Sequence, residues 1–202
     1  MDSASSVKIV FFEQSIGCDA CAPARRVLEQ IAAADPNVTL EVLNLVLDKE
    51  RAASYGVDRV PAVLIEAPGC DRIRYYGAPL GNELPTLLQA IAMAAAGKTP
   101  LGEVSRARLK ALSKPVALKV FFTPTCVYCP QMIALANQAA VESPFVSTVA
   151  IDATEYPDLV RQYGVNGVPK TIIDETMELM GAAPEEEFIA AIMAGAELET
   201  GG

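Results

Sequence analysis

Cys18-Asp19-Ala20-Cys21 and Cys126-Val127-Tyr128-Cys129 hold four of the five cysteines in this 202-residue chain. Cys18 to Cys126 spans 108 positions, and so does Cys21 to Cys129. The same offset carries Tyr55-Gly56-Val57 onto Tyr163-Gly164-Val165 and Val60-Pro61 onto Val168-Pro169. A chance pair of cysteine motifs would not bring a matched Tyr-Gly-Val-x-x-Val-Pro with it. The chain is therefore an internal duplication, and each copy carries the parts for dithiol–disulfide chemistry.

The spacing suits that chemistry. A strand that delivers a cysteine to the start of a helix places it among unpaired N–H groups and partial positive charge, which stabilise a thiolate. A free thiol has a pKa of ~8.5, and such a setting lowers it into the range of about 3.5–7.5. A second cysteine one turn along then closes a small-loop disulfide. In exchange, the first sulfur attacks a substrate disulfide and the second resolves the mixed disulfide. Cys18 and Cys126 are the expected nucleophiles, and Cys21 and Cys129 the more buried resolving residues. The competing reading has all four cysteines on one zinc ion or iron–sulfur cluster. It fits less well, because zinc motifs keep their two pairs close together and these pairs open separate helices in separate repeats. No metal or bound cofactor is expected. Asp19 places a like charge beside Cys18, whereas Val127 and Tyr128 add none beside Cys126, so Cys126 is expected to be the more acidic and reactive thiol.

The chain contains no histidine. This excludes Ser-His-Asp and Cys-His nucleophile systems and every His-ligated metal site. A net charge of −9 argues against nucleic acid or an anionic membrane as a partner. Hydrophobic residues make up 51% of the chain, enough for a packed core. Residues 1–6, Met-Asp-Ser-Ala-Ser-Ser, lack a basic start and a long apolar run, so no signal peptide is expected. The Ala-rich stretch near 87–96 is too short to span a bilayer. A cytoplasmic protein is expected, and there paired cysteines are more often catalytic or metal-binding than structural.

The elements that position the cysteines read as an α/β fold. Val7–Phe12 is an apolar run typical of a strand buried on both faces. Cys21–Ala34 reads as a helix stopped by Asp35-Pro36, and Val38–Leu47 as a second strand. Asp48 suits the cap of a short helix that ends at Gly56. Ala62–Ile65 and Arg72–Tyr76 form a hairpin around Pro68-Gly69, and Gly81–Ala95 a closing helix. The second copy repeats the order: Ala117–Phe122, helix 126–141, Phe145–Ile151, helix 155–163, hairpin strands 171–173 and 178–180, and helix 185–194. The expected units are 1–97 and 98–202, with a helix of about 101–113 whose apolar face is Leu101, Val104, Leu109 and Leu112. Cys70, at the hairpin tip, reads as an incidental exposed thiol. Tyr75, Tyr76, Met177 and Met180 read as packing residues. Glu185–Glu187 suits the first turn of the last helix.

Cys-x-x-Cys at a helix start, then Tyr-Gly-Val-x-x-Val-Pro before a hairpin and glycine after it (Gly77, Gly181), resembles the thioredoxin fold. Two such units in tandem, each a mixed sheet flanked by helices, resemble the glutaredoxin-like protein disulfide oxidoreductases. The stretch Phe121-Phe122-Thr123-Pro124-Thr125-Cys126-Val127-Tyr128-Cys129-Pro130 carries that likeness most closely. The resemblance implies that Pro61 and Pro169 are cis and lie against the cysteines. Val60 and Val168 would then offer backbone hydrogen bonds to a substrate chain. It further implies disulfide-containing protein substrates and a thioredoxin-reductase-like flavoprotein as electron donor.

Three departures stand out. Asp19 and Val127 replace the proline usual after the first glutaredoxin cysteine. Gly77-Ala78-Pro79 and Gly181-Ala182-Ala183 replace the Gly-Gly-Asp-type glutathione site, which argues against glutathione as an obligate partner. The buried carboxylate that thioredoxin keeps in its first strands for proton transfer has no evident counterpart. The N-terminal module of the alkyl hydroperoxide reductase flavoprotein is also a tandem thioredoxin fold. It characteristically lacks a working cysteine pair in its first unit, where this chain has Cys18 and Cys21. An electron-relay module of that kind, and a non-catalytic binding or chaperone module, are the alternative functions.

Overall fold

The computed structural model describes residues 5–198. Residues 1–4, part of the stretch read as carrying no signal peptide, lie outside them. The first copy runs β1 (Val7–Glu13), α1 (Cys21–Ala34), β2 (Val38–Asn44), α2 (Lys49–Tyr55), β3 (Ala62–Ala67), β4 (Cys70–Tyr76), a 3₁₀ turn (Gly81–Glu83) and α3 (Leu84–Ala96). After α4 (Glu103–Lys110), the second runs β5 (Val116–Phe122), α5 (Cys129–Glu142), β6 (Val146–Asp152), α6 (Pro157–Gln162), β7 (Lys170–Ile173), β8 (Met177–Met180) and α7 (Glu185–Leu198). Proline sits in the first turn of α3, α5 and α6, where its missing N–H costs nothing.

The strands form one eight-stranded mixed sheet in the order β2-β1-β3-β4-β6-β5-β7-β8. Each copy contributes four strands in the same internal order, and the copies fuse where β4 pairs with β6 in parallel, Arg74 opposite Val149 and Tyr76 opposite Ile151. The two Phe-Phe pairs show why β1 and β5 carry consecutive apolar residues. Successive side chains alternate faces. Phe11 and Phe122 point into the large core beneath α1, α3, α5 and α7. Phe12 and Phe121 point into smaller cores on the opposite face, built with residues of α2 and α6.

Several local expectations are corrected. Asp48 precedes α2 but makes no side-chain cap; its carboxylate accepts the Asn44 N–H at 2.7 Å, closing the preceding turn instead. Gly56 does adopt the left-handed conformation that ends α2, at φ +62°. In α4 the inward residues are Ser105 and Leu109, flanked by buried Leu101 and Leu112 outside the helix, while Val104 is 73% exposed; a small serine lets the helix approach its neighbours. Cys70 is buried, not exposed, because its side chain joins the large core. Arg72 donates to the carbonyls of Gly69, Ala140 and Val146. Burial pushes the Cys70 thiol up, away from the reactive thiolate. Met177 packs as expected, but Met180 is largely exposed on the edge strand.

The seam between the copies is polar as well as packed. The Asn137 amide donates to the fully buried Tyr75 hydroxyl at 2.8 Å, and Arg59 pairs with Asp158 at 3.1 Å. Gly77 lies at the seam with φ +108°, and a Cβ there would stand 2.5 Å from the Asp152 Cβ. Gly77→Ala is therefore expected to destabilise by about 3 kcal/mol, from left-handed strain plus overpacking. Thermal unfolding should report a Tm lower by roughly 6–12 °C.

Candidate active site

Both Cys-x-x-Cys pairs are disulfides, Cys18–Cys21 with Cα atoms 5.4 Å apart and Cys126–Cys129 with 5.5 Å. In each pair the second residue is buried, Cys21 at 3% exposure and Cys129 at 0%, while the first is partly exposed. The long helix begins at the second cysteine in both copies, so Cys126 precedes α5 and does not start it. This leaves the first cysteine just before the helix N-terminus, where backbone N–H groups have no intrahelical partner. Neither helix has a side-chain cap. In the second copy the Cys129 N–H points at Cys126 Sγ, 3.1 Å away. A donor fixed on that sulfur favours its charged form. The first copy instead directs the Cys21 N–H to the Cys18 carbonyl at 3.3 Å.

Val60-Pro61 and Val168-Pro169 are both cis peptide bonds. Each proline carbonyl accepts the N–H of the glycine after the hairpin, Gly77 at 2.9 Å and Gly181 at 2.8 Å. The first loop carries extra bonds from the second copy. The Tyr156 hydroxyl donates to the Pro61 carbonyl at 3.0 Å. The Arg59 guanidinium lies over the rings of Tyr76 and Tyr156, at 5.8 Å and 5.5 Å.

Sequence reasoning missed the residues that surround the second motif from the first copy. After β4 the chain turns toward Cys126: the Asn82 amide donates to the Cys126 carbonyl at 3.3 Å, and a Cβ on Gly81 would lie 3.4 Å from the Pro124 carbonyl. Next to Asn82, Glu83 is fully buried. One carboxylate oxygen meets the Thr86 hydroxyl at 3.3 Å, and the other has no hydrogen-bond partner. Burial raises the Glu83 carboxyl to about 7, the Thr86 bond opposes the shift, and the Asp152 charge adds to it. Glu155 is also pushed up, by its burial and by the charges of Asp152 and Asp19. The one signal in the sequence was a lone acidic residue in the long stretch between Asp71 and Glu103.

Among the described residues no group of three or more His, Cys, Asp or Glu side chains is placed to hold a metal ion. No helix there is long and apolar enough to cross a membrane.

A family model described as thioredoxin domain matches residues 116–194. A thioredoxin of Methanocaldococcus jannaschii is 31% identical over 78 residues, which cover 92% of that protein and 38% of this chain. The chain belongs to the thioredoxin family. Its doubled form has likenesses of its own within that family. A protein disulfide oxidoreductase of Aeropyrum pernix superposes with a TM-score of 0.87 at 26% identity, covering 97% of this chain and 88% of that one. An alkyl hydroperoxide reductase component of Pseudomonas aeruginosa is 27% identical over 151 residues, 74% of this chain. That match takes in only 29% of the reductase component, so the chain spans less than a third of that relative's length.

Proposed function

We propose that this chain is a protein dithiol–disulfide oxidoreductase, with Cys126–Cys129 as its principal site and Cys18–Cys21 as a second. The observation that carries the proposal is the arrangement of the sulfurs: a partly exposed first sulfur beyond a helix N-terminus, a buried second one, and the Cys129 N–H fixed on Cys126. In the reduced enzyme the Cys126 thiolate attacks a substrate disulfide. A Cys126–substrate bond forms, the substrate S–S bond breaks, and one substrate sulfur leaves as thiolate and takes up a proton. The Cys129 thiol then gives up its proton and attacks Cys126, closing the enzyme disulfide and releasing the second substrate thiol. Two electrons and two protons pass from enzyme to substrate, and no bound cofactor is needed.

Glu83 is the proposed proton carrier of this scheme, on the strength of its burial and its unpartnered carboxylate oxygen. It follows Asn82, which donates to the Cys126 carbonyl, and burial pushes its carboxyl up to about 7. A carboxyl there takes the Cys129 proton without leaving a permanent buried charge. The backbones of Val168-Pro169 and Val60-Pro61 are the proposed contacts for the extended chain of a protein substrate. The copies 1–97 and 98–202 are the proposed functional units, acting in the cytosol with a thioredoxin-reductase-like flavoprotein as donor. The likeness to the alkyl hydroperoxide reductase component favours a second reading, a relay that passes electrons from a flavoprotein to a peroxide-reducing partner by the same exchange.

Dithiothreitol-driven insulin reduction tests the oxidoreductase reading. Wild type should accelerate insulin precipitation, and the variant with Cys18, Cys21, Cys126 and Cys129 all changed to serine should match the uncatalysed rate. Equal activity in both proteins would refute it.

A further inference from the structure

The first copy carries an apolar groove that its own helices leave open. It lies along α3, against the C-terminal half of α1, and has a volume of about 370 Å³. Leu88, at its centre, is 46% exposed.

The internal duplication shows what fills such a groove. In the second copy α4 lies across the equivalent place, packed on α5 and α7. Leu84, Leu88, Ala92 and Ala95 line the groove from α3. On α7 the same 4-4-3 spacing is repeated by Glu185, Ile189, Met193 and Ala196. That row follows α4 from end to end. The Glu185 carboxylate accepts the Gly102 N–H at 2.9 Å, at the start of α4. Met193 and Ala196 share a hollow with Leu112, just past its end. Ile189, between them, is fully buried. The facing helix agrees. Gln30 and Ala34 of α1 are exposed at the groove, whereas Gln138, at the 108-residue offset, is only 7% exposed. At Glu142, the counterpart of Ala34, the carboxylate holds Lys110 of α4 at 3.7 Å. Side chains open in the first copy are covered in the second, and α4 covers them.

We propose that this groove docks an amphipathic helix of a partner protein, with the chemistry α4 displays. The inward face is apolar with one small residue, as Leu101, Ser105, Leu109 and Leu112 are. The charges of α4 are mainly basic, Arg106, Arg108 and Lys110 against Glu103, and Lys110 reaches the rim at Glu142. A basic helix also suits a chain whose net charge is −9. A second copy of this chain is a poorer occupant, because its own helix of this type is already packed against α5 and α7.

The probe is a fluorescein-labelled peptide of residues 100–113, followed by fluorescence anisotropy as the whole chain is added. The proposal expects saturable binding that weakens at least tenfold with Leu88→Arg and with Ala92→Arg. Both sites are solvent-accessible, so both variants should fold, as circular dichroism and unchanged insulin reduction would verify. A peptide with Leu109 and Leu112 changed to aspartate should not bind. Absence of saturation with wild type, or equal binding by the arginine variants, overturns the proposal. So does sedimentation equilibrium showing a dimer that Leu88→Arg converts to monomer, since a second copy would then be the occupant.

Discussion

Cys126→Ser is expected to abolish dithiol-driven insulin reduction, by a factor on the order of 10³, whereas Cys18→Ser should lower it only several-fold. The difference comes from four features of the two sites. Cys126 receives the Cys129 N–H on its sulfur, and Cys18 has no such donor among the described residues. Asp19 places a charge beside Cys18 that opposes its ionisation, while Val127 and Tyr128 are uncharged. Those two residues are 74% and 65% exposed and give an apolar landing surface beside the second sulfur. The cis-proline loop of the first site is also tied to the second copy through Tyr156 and Arg59, which restrains its adjustment to a substrate chain. The same inequality should appear in alkylation: with iodoacetamide at pH 6, reduced protein should lose the Cys126 thiol before the Cys18 thiol, as read by peptide mass mapping. Faster alkylation of Cys18, or equal loss of insulin reduction in the two serine variants, would reverse this ranking.

Glu83→Gln should have opposite effects on stability and on turnover. The folded chain holds the Glu83 proton until about pH 7, whereas an unperturbed carboxyl releases it near 4.5. Between those values the folded state binds more protons than the unfolded state, so stability falls as pH rises through that window. Below it, both states are protonated and wild type and Glu83→Gln should unfold at nearly the same temperature. Above it, wild type carries a buried charge that glutamine lacks, and the variant should be more stable by up to about 3 kcal/mol. In a chain of this length that corresponds to a Tm higher by up to roughly 6–12 °C at pH 8. Turnover should move the other way. Glutamine keeps the shape and the bond from Thr86 but cannot take a proton, so insulin reduction should fall by about 10²-fold or more and lose its pH dependence near 7. A purely structural Glu83 would show the stability effect with an unchanged pH–rate profile.

Elements set by their own residues were legible in the sequence, and those set by docking of the copies were not. Cys21–Ala34 was legible to the residue, because a stop at Asp35-Pro36 and an apolar stripe are properties of the segment itself. The hairpins were legible in place, though their strands run one or two residues longer than expected, and Gly56 ends α2 as its residue type implies. The fusion of the sheet was hidden. β4 read as a hairpin strand and β6 as the second strand of its copy, and nothing in either one names the other as its partner. What depends on that pairing was hidden with it. Glu83 and Asp152 are buried near the seam, and Arg72, two residues after the buried Cys70, reaches across to carbonyls of the second copy. The phase of α4 differs from expectation by one position because Val104 outranks Ser105 in hydrophobicity, whereas the helix contact favours the smaller side chain. In the candidate site, the cysteines and prolines could be named from spacing alone. Their surroundings could not, since Asn82 and Glu83 approach the second motif from the first copy.

The most direct test of the account traps the proposed intermediate. Cys129→Ser, reduced and then mixed with oxidised insulin, should form a covalent adduct. Proteolysis and mass spectrometry should place the new disulfide on Cys126, and dithiothreitol should reverse it. An adduct confined to Cys18 or Cys70, or no adduct while wild type reduces insulin under the same conditions, would contradict the assignment of Cys126 as the attacking residue.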